Sequence, residues 1–145
     1  MNFLDASAAA KRYSRELGSE RVEAIFHEPA PVCSLAIVSC ELTSVLNRKN
    51  REGVLHRAEH RAAKLQMAQD VGLMTLVPVD ADLIGTALRL LDSHPLKTLD
   101  SLYLAAALSL QQGGQERVLF VSADRQLLRA AQAEGLKVLD PEQKN

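Results

Sequence analysis

Tryptophan is absent from this chain, and only five of its 145 residues are aromatic, three Phe and two Tyr. That scarcity argues against a stacking platform for single-stranded bases, which needs successive aromatic faces. Cysteine is nearly absent too: Cys33 and Cys40 fit no paired-cysteine zinc pattern. They read as small buried thiols, with a structural disulfide disfavoured in a reducing cytosol. Long hydrophobic runs are missing; stretches such as Leu102 to Leu108 are too short to span a bilayer. The first apolar segment is interrupted by Asp5 and follows no basic leader, so a secretory signal is not expected. A soluble, cytoplasmic protein with no membrane association is the expectation. Neither sign of charge dominates, the net value being −1. This argues against a basic coat for unspecific DNA binding, but an acidic metal site can offset a basic groove elsewhere.

With 47% apolar residues and no low-complexity stretch, residues 1–145 read as one globular domain with a sizeable core. Phe3-Leu4 reads as a strand ending at Asp5, followed by a helix from Ala6 to Leu17 that Gly18 terminates. Ser19 is placed to cap a short helix to about His27, before Pro29 and Pro31 break the chain. Val32 to Leu35 is a second strand. From Ile37 the spacing of Val38, Leu42, Val45 and Leu46 predicts a helix. Gly53 separates it from another, about Val54 to Val71, ended by Gly72. The pair forms a charged helical hairpin. Met74 to Val79 is a third strand, Asp80 caps a helix to about Asp92, and His94-Pro95 stops it. A helix from Leu99 to Gln112, a strand Val118–Val121, a helix capped by Ser122 or Asp124, and a strand Lys137–Leu139 complete the pattern. Strands alternating with helices indicate a parallel three-layer α/β domain.

Four acids stand in otherwise apolar or small-residue segments. Asp5 and Asp124 follow strands, while Glu41 and Asp100 lie in the first turns of helices. Right-handed crossovers put strand ends and helix N-termini on one edge of a parallel sheet, so all four can face one crevice. Each of the aspartates alone could be a helix cap. Four acids on one edge exceed what capping requires. Carboxylates so gathered repel and lose solvation, which favours a cation among them. Their hard oxygens suit Mg²⁺ or Mn²⁺ rather than zinc, and a pair of ions ~3.5–4 Å apart can activate water and stabilise a leaving phosphodiester oxygen. The basic cluster Arg48, Lys49, Arg51, Arg57, Arg61 and Lys64, set against Glu52 and Glu59, reads as either a solvated helix face or a phosphate-contacting rim.

The segment Asn2-Phe3-Leu4-Asp5-Ala6-Ser7-Ala8 resembles the opening motif of PIN-domain nucleases. Glu41-Leu42-Thr43-Ser44-Val45-Leu46-Asn47-Arg48 is similar to their second acidic motif. His94-Pro95-Leu96-Lys97-Thr98-Leu99-Asp100-Ser101-Leu102-Tyr103-Leu104-Ala105 resembles the third motif of VapC-like toxins, and Phe120-Val121-Ser122-Ala123-Asp124-Arg125-Gln126-Leu127 the fourth. The resemblance runs nearly end to end, in order. It implies a PIN-like three-layer fold with a five-stranded parallel sheet of order 3-2-1-4-5. It also implies a Mg²⁺- or Mn²⁺-dependent endoribonuclease acting on RNA, the toxin of a toxin–antitoxin pair, with a small antitoxin partner in its groove and a homodimeric state. Carried over by position, Asp5, Glu41, Asp100 and Asp124 are the catalytic metal-site acids, with Ser122 and Ser7 as hydrogen-bonding partners behind them. Lys11, Arg12, Arg48 and Lys49 are candidates for RNA-backbone contacts. The chain departs from the family in Ala6, where Thr or Ser is frequent, and in Ser101 and Tyr103, which replace a common Ala and a common His or Gln. A serine usual before the second acid aligns with neither Ser34 nor Ser39.

Other chemistries compete. His56-Arg57-Ala58-Glu59-His60 has the H-x-x-E-H spacing of inverted zinc proteases, against a plain solvated helix face. A phosphoryl-accepting receiver domain also gathers acids at a sheet edge, but Lys137 begins its strand where such a domain needs a lysine at the end. A non-catalytic binding module, and a PIN-type nuclease of RNA processing or DNA metabolism, remain as further alternatives.

Overall fold

The computed structural model describes residues 1–114 and 117–143. A five-stranded parallel sheet of order β3-β2-β1-β4-β5 lies between helices. Its strands are β1 (Asn2–Leu4), β2 (Val32–Leu35), β3 (Thr75–Val77), β4 (Leu119–Val121) and β5 (Lys137–Leu139). The helices are α1 (Ala6–Ala9), α2 (Ser19–His27), α3 (Val38–Arg51), α4 (Arg57–Leu73), α5 (Ala81–Ser93), α6 (Thr98–Gly113) and α7 (Arg125–Ala133). This is the α/β architecture and strand order expected from the sequence. No helix among the described residues is long and apolar enough to cross a membrane.

β1 sits at the sheet's centre, where the order reverses, and its residues are buried. Covered on both faces, a central parallel strand becomes continuously apolar. Phe3 stacks on Phe120 of β4 with centroids 5.7 Å apart and meets Tyr103 of α6 edge-on at 6.5 Å. Three of the five aromatic residues therefore pack together beneath the carboxyl edge. α6 is buried from Ser101 and again from Tyr103 through Leu108, as its Ala- and Leu-rich sequence requires.

Register decides what stands at that edge. Leu4 pairs with Val121, so Asp5 and Ser122 are the next residues of their strands. On the other side, β1 and β2 pair only through Phe3 and Cys33, and the Leu4 carbonyl instead accepts a 2.7 Å hydrogen bond from Ser34 Oγ. β2 continues along β3 through Leu35 and Val77. The sheet thus parts between β1 and β2 just below Asp5.

The expected helix from Ala6 to Leu17 is much shorter. α1 ends at Ala9, a 3-10 turn covers Ala10–Arg12, and the chain then bends away. The cause is long-range pairing. Lys11, 5% exposed, bonds Glu142 at 2.6 Å; Arg12 pairs with Asp70 and Glu23 and lies over the Phe26 ring. Ser19, expected as a cap, is the first residue of α2, and its hydroxyl accepts from Glu16 N–H. Gly18, at φ +88°, supplies the left-handed turn there. α4 begins at Arg57 and runs through Gly72, so that glycine does not terminate it.

Residues 140–143 fasten onto this bend. A Cβ on Gly18 would stand 2.8 Å from the Pro141 carbonyl oxygen, whereas one on Gly53, at φ +74°, would meet nothing within 4 Å. Both positions strain an L side chain, and only Gly18 adds a collision. Gly53→Ala should cost about 1 kcal/mol, and Gly18→Ala about 3 kcal/mol, in urea denaturation. Equal losses would show that the 140–143 segment does not press on the bend.

Candidate active site

Asp5 is the N-cap of α1, and its carboxylate is nearly saturated with donors. Oδ1 accepts from Ala8 N–H at 2.9 Å, Ser7 Oγ lies 2.8 and 2.9 Å from the two oxygens, and Ser122 Oγ donates to Oδ2 at 2.7 Å. Each hydroxyl receives a backbone N–H in turn, Ala123 N–H on Ser7 and Asp124 N–H on Ser122, both at 3.0 Å. A hydroxyl has one hydrogen to give. With the amides filling their acceptor sites, both serines can turn that hydrogen toward Asp5.

The other three acids arrive on separate elements. Glu41 is in the first turn of α3, Asp100 in the first turn of α6, and Asp124 caps α7, its Oδ1 accepting from Gln126 and Leu127 N–H. All four, with Ser7, line one crevice of about 670 Å³. On α3 the lining residues Glu41, Ser44, Val45 and Arg48 follow the i, i+3, i+4, i+7 rule of a single helix stripe, while Val38, Leu42 and Leu46 face the core.

Burial sets the electrostatics. It lifts the Asp5 carboxyl to about 6 from an ordinary 3.8, against the pull of the Ala8, Ser122 and Ser7 hydrogen bonds and with a small push from the Asp100 charge. Burial also raises Glu41, opposed by the nearby Tyr103 hydroxyl and helped by Asp100. Asp100 is raised by burial and then by Asp124, with Lys97 acting the other way. Asp100 is therefore the acid whose charge reaches Asp5 and Glu41, while it feels that of Asp124.

Among the described residues, no three acids, histidines or cysteines already stand at ligand spacing. The donor set nevertheless fits a hard divalent ion: it is all oxygen, mutually repelling and partly desolvated. Mg²⁺ commonly keeps several waters and takes only one or two carboxylates plus substrate phosphate oxygens, so a closed cage is not required.

The four basic candidates separate. Arg48 and Lys49 line the crevice, Arg48 exposed and without an ion pair among the described residues. Lys49 Nζ bonds Ser14 Oγ at 2.9 Å and approaches Glu16 at 3.4 Å. Lys11 and Arg12 do not line it, being held in the ion pairs described above. Lys97, which sequence reasoning overlooked, does line it, three residues before Asp100 and thus one helical turn away. That spacing was the available signal. Ser34 was also missed, since its role depends on a strand separation invisible in one segment. Cys40, expected to be buried, is exposed, whereas Cys33 is buried. The H-x-x-E-H histidines have separate occupations: Glu59 accepts from the His56 N–H at the start of α4, and His60 Nε2 bonds Asn47 Oδ1 at 2.8 Å.

A carboxyl group whose folded pKa is raised stabilises the fold below its unfolded pKa and loses that contribution as pH climbs through the folded value. For Asp5 the window runs from 3.8 to about 6. In chelator, Asp5→Asn should therefore match the native protein near pH 3.5 and exceed it above pH 7, by up to about 3 kcal/mol. Melting curves across this range check it; a variant that melts clearly lower at neutral pH would make the ionised Asp5 a net stabiliser.

The sequence model of the PIN domain family matches residues 3–133. In three dimensions the chain resembles a toxin-antitoxin complex from Klebsiella pneumoniae, with a TM-score of 0.58 over 97% of this chain and 98% of that one, at 11% identity. At such identity the likeness concerns the fold. No curated protein sequence matches. With a family match that covers nearly the whole chain, on a sheet of the expected order, the protein belongs to the PIN domain family of nucleases.

Proposed function

We propose that this protein is a Mg²⁺- or Mn²⁺-dependent endoribonuclease that acts as the toxin of a toxin–antitoxin pair. The observation that carries the reading is the crevice itself: Asp5, Glu41, Asp100 and Asp124, from four different elements, share one opening with Arg48, Lys49 and Lys97. Acids with raised pKa values suit a cation, and cations beside them suit a phosphate backbone. Membership of the PIN family supports hydrolysis of phosphodiesters. The toxin role and the small antitoxin partner lean on the structural likeness to a toxin-antitoxin complex. Homodimerisation, a cytoplasmic location and a single domain over residues 1–145 belong to the same reading.

In this mechanism Asp5, Asp100 and Asp124 are the residues that would hold the divalent ion, directly or through water, and Glu41 would complete the set. When bound, the ion supplies an acidified water and positive charge beside the departing oxygen. The chain's own residues do the rest. Ser7 and Ser122 fix the Asp5 carboxylate so that it needs no reorientation on binding. Arg48 and Lys97 draw the RNA backbone over the acids and offset its charge against theirs. No histidine lines the crevice, so proton movement falls to the carboxylates and solvent.

Cleavage of transfer and ribosomal RNA in Mn²⁺, Mg²⁺ and chelator tests the proposal. Asp5→Asn and Asp100→Asn should each lose more than about a hundredfold in rate, and Ser122→Ala about 10- to 100-fold. Full activity of either aspartate variant, purified away from native nuclease, would sink the site assignment. Arg48→Ala and Lys97→Ala should weaken RNA binding at low salt and flatten its salt dependence by about one phosphate contact each. Equal cleavage of single-stranded DNA would replace the ribonuclease reading with one in DNA metabolism. A small protein encoded beside this chain and copurifying with it, with cleavage suppressed in the complex, is the outcome expected of the antitoxin.

A further inference from the structure

Tyr103 is the largest of the fully buried side chains, 1% exposed. Its ring packs edge-on against Phe3 in the core, yet the residue also lines the acidic crevice. Its hydroxyl is buried and meets no hydrogen-bond partner. A buried hydroxyl left unpaired is destabilising, and phenylalanine would fill the same space without that cost. Core packing gives no reason for the oxygen.

The reason lies across the crevice, in Glu41. It is half-buried in the first turn of α3, and the Tyr103 hydroxyl is the donor set against its carboxylate, near it without a well-formed bond. The two groups already sense each other: burial raises the Glu41 carboxyl and the phenol opposes that rise, while burial and then the Glu41 charge hold the phenol protonated. The charge on Asp5 pushes in the same direction as Glu41. The surroundings therefore keep a donor hydrogen on Tyr103, beside an acid to which it makes no well-formed bond.

We propose that Tyr103 is a positioning residue for Glu41, its hydroxyl donating to one carboxylate oxygen when that side chain turns to the crevice floor to meet a divalent ion. A phenol O–H can donate while an ionised carboxylate only accepts, so the bond selects the charged form of Glu41. One oxygen would then be held by Tyr103 and the other left for a cation, as when outer groups orient metal-binding carboxylates. Asp5 is served by Ser7 and Ser122; Tyr103 gives Glu41 a corresponding partner. This inference rests on the metal-dependent reading above.

Tyr103→Phe in the intact protein, with and without Glu41→Ala, tests it through three measurements that need no RNA. Mn²⁺ binding followed by electron paramagnetic resonance should weaken about tenfold in Tyr103→Phe. In the Glu41→Ala background the same substitution should add nothing. The Glu41 side-chain carboxyl resonance in chelator should move, and the melting temperature should hold or rise. Unchanged Mn²⁺ affinity with an unmoved resonance overturns the proposal. So does an undiminished tenfold loss in the Glu41→Ala background, or a clear fall in melting temperature, which would mean that the hydroxyl is bonded within the core. Failure of the nuclease reading looks different: the native protein takes up no Mn²⁺ and cleaves no RNA, while the Glu41 resonance still reports the Tyr103 link.

Discussion

The structure depends on one carboxylate kept almost wholly out of water. Asp5 ends the central strand, closed in by β4 on one side and α1 on the other, and its ordinary ionisation is opposed by that burial. The fold answers with donors. The β1–β4 register brings Ser122 level with Asp5, the start of α1 brings Ser7 and the Ala8 amide, and the start of α7 orients both hydroxyls. These bonds moderate the cost of the charge without removing it. A buried charge kept at some cost to the fold is how stability is commonly traded for function.

The helices around Asp5 divide their surfaces between core and crevice. On α3, Val38, Leu42 and Leu46 anchor one face, and Glu41 and Arg48 lie on the adjoining stripe. On α6, Tyr103 belongs to both, its ring in the aromatic cluster and its hydroxyl at the crevice wall. Rigid packing below is therefore what fixes polar positions above. The crevice lies at the carboxyl edge of β1 and β4, where Asp5 and Asp124 stand, and Ser34 on the Leu4 carbonyl ties β2 to β1 beside it.

Much of this was legible in the sequence because it is encoded locally. Short apolar runs ending in Asp5 or before Asp124, the glycine and proline boundaries, the Asp80 cap of α5 and the 3.6-residue period of α3 each depend on neighbours a few positions away. The strand order followed from the resemblance rather than from any local signal. What could not be read depends on distant partners. The helix expected to reach Leu17 yields to Lys11–Glu142 and Arg12–Asp70, pairs separated by 131 and 58 residues. The same pairs remove Lys11 and Arg12 from the crevice, though both follow Asp5 closely in sequence. Spacing alone made His56 and His60 look like ligands, until the start of α4 and Asn47 gave them other partners.

The 140–143 segment bears on the crevice despite lying outside it. Glu142 holds Lys11, Lys11 lies 3.8 Å from Glu16, and Glu16 lies 3.4 Å from Lys49. Glu16 and Lys49 both stand in the crevice wall. Four alternating charges thus connect the last described residues to the place where a nucleic acid would enter. A change of charge at Glu142 is accordingly felt beyond its own segment, because each member of the chain of pairs sets the electrostatic surroundings of the next as far as Lys49.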